Sequence, residues 1–188
     1  MLHRRSFLLT SLMAISGGTL VGAAEDHWEA LRLGNAFVLL RHAIAPGTGD
    51  PPGMRIGACE TQRNLSAEGR AQAGRISDLF RVNGIREASV HSSQWCRCLD
   101  TADLLGLGSV TQQPLLNSFF GEPENGRAQT EALKTWLTRP SDLPLVLVTH
   151  QVNITGLTSV VPRSGELVFA TLDAGGAVSV IGRQSAGA

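Results

Sequence analysis

At 188 residues, with 43% hydrophobic and 17% charged side chains, the chain has the length of one domain and the balance of a globular one. Its formal net charge of zero argues against a general binder of nucleic acid or acidic membrane surfaces. Lys134 is the only lysine among 16 basic residues, so arginine supplies nearly all the positive charge.

The first segment reads as an address rather than as fold. His3-Arg4-Arg5-Ser6-Phe7-Leu8 opens with paired arginines, and residues 7–21 are apolar or small without a charge. Gly22-Ala23-Ala24 supplies the small residues a signal peptidase needs, just before Glu25-Asp26. The stretch resembles a twin-arginine export signal in which Leu9 replaces the usual lysine. The alternative is a retained anchor, but the apolar run is short for a spanning helix. The expectation is a removable signal over 1–24 and one periplasmic domain over 25–188, meeting the membrane only through the signal. Cleavage would leave 14 basic against 16 acidic side chains, still near neutrality.

Ala36-Phe37-Val38-Leu39-Leu40 predicts a first buried strand, and it ends on Arg41-His42. Open α/β sheets bind ligands at the C-terminal edge of their strands, so this pair is aimed at a pocket. Residues 43–63 make a long loop containing Pro46-Gly47, Gly49 and Asp50-Pro51-Pro52-Gly53. A loop of this length inside a compact domain usually has a function, and its start at His42 predicts that it lines or covers the pocket, the alternative being a flexible surface excursion. Ser66 reads as the N-cap of a helix to about Val82, with Glu68 in its first turn. Ala73, Ile76, Leu79 and Phe80 fall at helical spacing, and Asn83-Gly84 ends the run.

Ala88-Ser89-Val90-His91 predicts a short second strand, and a helix is expected from Ser93 to about Leu105. A short strand near Leu115-Leu116 and a helix from about Arg127 to Leu137 follow. Pro144-Leu145-Val146-Leu147-Val148-Thr149 is nearly continuous in apolar residues, as a central strand covered on both faces is, and it delivers His150 to the same edge as His42. Residues 166–172 and 177–181, joined across Asp173-Ala174-Gly175-Gly176, predict a closing hairpin. The alternation predicts an α/β fold, a three-layer α/β/α sandwich around a mostly parallel sheet.

Cys59, Cys96 and Cys98 are the cysteines. In an oxidising compartment the readings are one disulfide from Cys59 to either Cys96 or Cys98, or unpaired thiols. No second pair with zinc-ligand spacing is present, so no metal site is expected.

Neutral imidazole is a nucleophile toward phosphorus when its second nitrogen is held by an acceptor. The phosphoryl oxygens need positive charge around them, and the planar fork of arginine binds them in pairs. His42 and His150 at strand ends, with Arg41 and Arg97, supply these parts. Arg97 lies near the start of its helix, where backbone amides and the helix dipole add to an anion site.

Leu39-Leu40-Arg41-His42-Ala43 resembles the Arg-His-Gly signature of the histidine phosphatase (phosphoglycerate mutase-like) superfamily, with alanine in place of glycine. The run from Asn64 to Gln72 resembles its "Leu-Thr-x-x-Gly-x-x-Gln" helix start, and the run from Ser92 to Ala102 its "Ser-Ser-x-x-x-Arg-Ala-x-x-Thr-Ala". Val148-Thr149-His150 is similar to the strand carrying its second histidine. The matches keep the family's order and span most of the chain after residue 24. The resemblance implies a phosphoglycerate mutase-like fold and a phosphohistidine intermediate on His42. Arg41, Arg97 and His150 would complete the phosphate pocket, with no metal or organic cofactor. His91 is expected near the pocket rim without a catalytic role.

Family members take their general acid from a glutamate after the third strand or an aspartate after the second histidine. Gln151 stands at the latter position, so Glu122 is the expected acid, with Glu124 beside it, and Asn153 a substrate or pocket-wall contact. A good leaving group, or the N-linked phosphate of a phosphohistidine, would lessen the need for an acid. The expected activity is that of an exported phosphoric monoester hydrolase. Its partner would be a phosphorylated small molecule or an envelope glycan or lipid phosphate. The alternatives are a non-catalytic binder of phosphate ligands on the same fold, an envelope phosphohistidine phosphatase, and phosphotransfer to an acceptor other than water.

Overall fold

Two apolar runs make the centre of the sheet. Phe37–Arg41 forms β1 and Leu145–Thr149 forms β4, parallel neighbours with Val38 beside Val146 and Leu40 beside Val148. The computed structural model describes residues 26–186. The export signal expected over 1–24 lies outside them.

The other strands are β2 (Ser89–Ser92), β3 (Val110–Gln112), β5 (Glu166–Leu172) and β6 (Val178–Ser185). Helices are α1 (His27–Arg32), α2 (Ala67–Val82), α3 (Cys96–Leu105), α4 (Gly126–Leu137) and α5 (Gln151–Thr158). The sheet order is β3-β2-β4-β1-β5-β6. β5 runs antiparallel to β1 and β6, and the other pairings are parallel, so the sheet is mostly parallel as expected.

Alternate residues of each strand face opposite sides. On one side Val38, Leu40, Val146, Val148 and Phe169 pack against Trp28 of α1, Ile76 and Phe80 of α2, and Leu105 of α3. On the other, Phe37, Leu39, Leu147 and Val168 meet Leu133 and Leu137 of α4 and Ile154 and Leu157 of α5. The result is the three-layer α/β/α sandwich. No helix among the described residues is long and apolar enough to cross a membrane.

The elements depart from the sequence reading in four places. The strand expected near Leu115-Leu116 is a 3-10 turn, Pro114–Leu116: Pro114 has no N–H for a ladder, and the Gln113 side chain accepts from Leu115 N. The edge strand lies earlier, at β3. α3 begins at Cys96 rather than Ser93, because Ser93 N still donates to Val148 O at 2.9 Å as an extension of the sheet. α1 and α5 were not anticipated; α1 is capped by the Asp26 carboxylate, which accepts from Trp28 N. The second hairpin strand runs on to Ser185.

α2 is tied to the chain just after His42. Ser66 N donates to Ile44 O at 3.1 Å, and Ile44 N donates to Gln72 Oε1 at 3.1 Å. A Cβ on Gly69 would sit 2.0 Å from Ile44 O, so only glycine permits this approach. Gly69→Ala is expected to destabilise by about 3 kcal/mol. That is a fall in Tm of roughly 6–12 °C. Gly74→Ala, in open space on the same helix, is the control. A thermal melt in which the two variants behave alike would contradict the close approach.

Candidate active site

β1, β2 and β4 end at one edge, and the ladder carries their next residues out together. His42 N donates to Thr149 O at 3.0 Å, leaving His42, Ser93 and His150 side by side where α3 and α5 begin. A cleft of about 100 Å³ opens there, lined by Arg41, His42, Asp50, Arg63, Arg97 and His150 among others.

His42 is 3% exposed. Its Nδ1 lies 2.8 Å from Ala43 O, and a carbonyl can only accept, so Nδ1 carries the proton and Nε2 the lone pair. Burial lowers its pKa to about 3; Arg97, Arg41 and Arg63 push the same way, against the Ala43 carbonyl. The ring is therefore neutral at any physiological pH. His150 is turned edge-on, with ring centroids 5.5 Å apart. Its Nδ1 accepts from Arg97 Nη2 at 3.4 Å and its Nε2 donates to Ser93 Oγ at 2.9 Å. Ser93 in turn donates to Asn117 Oδ1 at 3.2 Å. Burial holds His150 well below the usual histidine range, with His42 and the three arginines adding to it.

Arg97, only 2% exposed, points its fork at Asp50, Nη1 to Oδ1 at 2.5 Å and Nη2 to Oδ2 at 3.3 Å. Trp95 Nε1 also donates to Asp50 Oδ2, at 3.0 Å. Arg41 donates from Nη1 to Pro162 O at 2.9 Å, and Arg63 donates to Gly49 O at 2.9 Å and to Ala45 O. Three arginines and a single carboxylate thus line the cleft. The imbalance favours a dianion, and the pair of oxygens that Arg97 grips is what a phosphoryl group would present. The amino end of α5 adds its dipole, with Gln151 and Val152 in the cleft wall. Among the described residues, no group of three or more His, Cys, Asp or Glu side chains could hold a metal ion.

No protein-family model matches the chain, and no curated protein matches it in sequence. Solved structures match it in shape. The protein histidine phosphatase SixA, solved with tungstate, aligns at a TM-score of 0.56 over 80% of this chain and 97% of its own, at 16% identity. Phosphoserine phosphatase from Entamoeba histolytica, solved with 3-phosphoglyceric acid, aligns at 0.57 over 80% and 96%, at 14% identity. A mycobacterial glucosyl-3-phosphoglycerate phosphatase solved with VO3 gives 0.56 over 78% and 97%, at 17% identity. The chain has the histidine phosphatase fold.

On this fold the residues singled out in the sequence fall into two groups. His42, Arg41, Arg97 and His150 line one cleft. Asn153 lies behind it, buried, donating to Asn117 O at 2.9 Å and so bracing the residue that holds Ser93. Glu122 caps a 3-10 turn, accepts from Asn125 at 2.6 Å, and lines a neighbouring depression that shares Asp50 and Ser118 with the cleft. His91 is not at the rim: it packs on Trp136 at 4.8 Å and meets Ser89 Oγ at 3.1 Å, outside the cleft. The loop over 43–63 lines the cleft as expected, through Gly47, Thr48, Gly49, Asp50 and Arg63.

Two site residues escaped the sequence reading, Asp50 and Arg63. Arg63 had a usable signal, since it closes the long loop directly before the helix start at Ser66, which returns to the strand end. Asp50 had none, because its partner Arg97 is 47 residues away.

Cys59 is bonded to Cys96, the first residue of α3, and this pins the far part of the loop beside Arg97. Cys98 is free and buried against His150, its Sγ 3.5 Å from Nε2, and burial pushes the thiol up to about 12. It is inert by that measure.

The neutral histidines make stability depend on pH. The folded pKa of His42 lies below its unfolded value, so the unfolded chain takes up its proton first. The stabilisation is complete above pH 6.5 and is lost as pH falls toward 3. His42→Asn is expected to flatten this slope, by up to about 1.4 kcal/mol for each pH unit. Urea melts at pH 7, 6 and 5 check it; parallel slopes for both proteins would contradict a buried neutral His42.

Proposed function

We propose that the chain is an exported phosphatase that hydrolyses a phosphomonoester, or a phosphoramidate, through a phosphohistidine on His42. One observation carries the reading. A buried neutral imidazole, its tautomer set by the Ala43 carbonyl, shares a cleft with three arginine side chains. The same fold serves phosphatases of phosphohistidine, phosphoserine and glucosyl-3-phosphoglycerate.

In this mechanism Arg41, Arg63 and Arg97 seat the phosphoryl oxygens, and Arg97 exchanges the Asp50 carboxylate for the substrate. His42 Nε2 attacks phosphorus in line as the bond to the leaving oxygen breaks. The Nδ1–H held by Ala43 O stabilises the phosphorylated ring, which carries positive charge. His150 reaches the phosphoryl oxygens once the anion has raised its proton affinity and it carries a proton at Nδ1. Water then attacks the phosphohistidine and returns His42 to its neutral state.

Location is part of the proposal. It rests on the Arg4-Arg5 signal and agrees with the Cys59–Cys96 disulfide, which persists in oxidising compartments. Activity is tested with purified residues 25–188 on p-nitrophenyl phosphate, together with an alkaline detergent quench that preserves a base-stable, acid-labile phosphoprotein. Turnover with trapped phosphate and inhibition by vanadate is the expected result. Vanadate binding without turnover would make the chain a phosphate-ligand binder instead.

A further inference from the structure

We infer that Asp50 is the proton donor to the leaving group, a role that rests on the phosphatase reading of the His42 cleft. It is the only carboxylate among the residues lining that cleft. It also lines the adjoining depression with Met54, Trp95 and Glu122, so it stands where the phosphate pocket meets the space open to the rest of the substrate. Gln151 lines the cleft as well but has no acidic proton to transfer, and Glu122 stays in the depression, held by Asn125.

The position is built rather than incidental. Gly49 takes the left-handed backbone (φ +68°) immediately before Asp50, and its carbonyl is held by Arg63 Nε at 2.9 Å. The Cys59–Cys96 disulfide fastens the same loop to the first turn of α3. Trp95, the residue before that turn, fixes Asp50 Oδ2 from its indole N–H.

The contact with Arg97 explains how the carboxyl gains its proton. In the free cleft burial pushes the Asp50 pKa up, but the Arg97 pairing, the Trp95 hydrogen bond and the Arg63 charge outweigh it and keep the group ionised. A phosphoryl dianion that takes the Arg97 fork removes the cation partner and puts negative charge beside Asp50. Both changes favour the protonated form, in a residue already partly withdrawn from water. Substrate binding therefore loads the acid.

The step balances. His42 Nε2 forms the bond to phosphorus while the bond from phosphorus to the leaving oxygen breaks. That oxygen keeps the electron pair and takes the proton from Asp50, giving the alcohol and the Asp50 carboxylate. In the second half Asp50 accepts a proton from the attacking water as the phosphorus–nitrogen bond breaks. Inorganic phosphate leaves, and both His42 and protonated Asp50 are restored.

Leaving-group dependence tests this with Asp50→Asn, wild type and His42→Ala on 2,4-dinitrophenyl, p-nitrophenyl and phenyl phosphate. Asp50→Asn is expected to lose roughly 10²-fold or more in kcat/KM on phenyl phosphate and less than about threefold on the dinitrophenyl ester, which needs no acid. The ratio kcat/KM reports the steps up to release of the alcohol, so the water step common to the three esters does not enter it. Vanadate binding by Asp50→Asn should persist. A loss equal across the three esters, or lost vanadate binding, would reduce Asp50 to a holder of Arg97 and overturn its role as an acid. No loss on any ester would leave Asp50 only a counter-ion to Arg97 and overturn that role equally. A wild type no faster than His42→Ala on the dinitrophenyl ester would overturn the phosphatase reading itself.

Discussion

His42→Ala should abolish turnover, with a fall of roughly 10⁴–10⁶ in kcat, the range for loss of a covalent nucleophile. Geometry decides this before chemistry does. Among the residues that line the cleft, His42 has its Nδ1 occupied by a main-chain carbonyl, which leaves Nε2 unprotonated and free to attack. His150 has the opposite tautomer, with Nε2–H engaged by Ser93 and the Nδ1 lone pair engaged by Arg97, so it cannot take over as nucleophile. The arginines are untouched by the substitution, and vanadate should still bind to within about tenfold because their forks supply the contacts. Rates on p-nitrophenyl phosphate and acid-labile phosphate on the protein are the measurements. Trapped phosphate on His42→Ala at wild-type levels would place the nucleophile elsewhere.

Much of this site was legible because strong local patterns end on the residues that matter. β1 and β4 begin as apolar runs, and each is followed directly by a histidine. Two buried parallel neighbours of equal register deliver their next residues to the same place, so the pairing of His42 with His150 follows from the sheet. β3 was missed because its three residues, Val110, Thr111 and Gln112, sit at an edge with little apolar content to show a period. α5 was missed for a related reason: Val152, Ile154 and Thr155 favour strand, Gly156 disfavours helix, and the helix forms because Ile154 and Leu157 bury against the sheet. Asp50 belongs to a third kind. Its role depends on a pairing across 47 residues, inside a loop whose glycines and prolines disclose only that the chain turns.

Arg97 should separate binding from stability. Arg97→Met is expected to lower kcat/KM by roughly 10³–10⁵, the range for an arginine that stabilises a phosphoryl transition state. Arg97→Lys should recover little, because one ammonium cannot offer the two parallel donors that the Asp50 carboxylate now occupies. Burial at 2% would ordinarily forecast a large loss of stability. Here the charge balance points the other way. Arg97 stands with Arg41 and Arg63 in one cleft, and their mutual repulsion offsets part of what the Asp50 pair contributes. Asp50 keeps the Trp95 donor and the Arg63 charge when Arg97 is gone, and its side chain is 22% exposed, so no isolated buried charge remains. Arg97→Met is therefore expected to melt within a few degrees of wild type while its activity is lost. Activity and Tm falling together would show that Arg97 holds the fold; activity falling alone would show a cleft that carries surplus positive charge in order to receive a dianion.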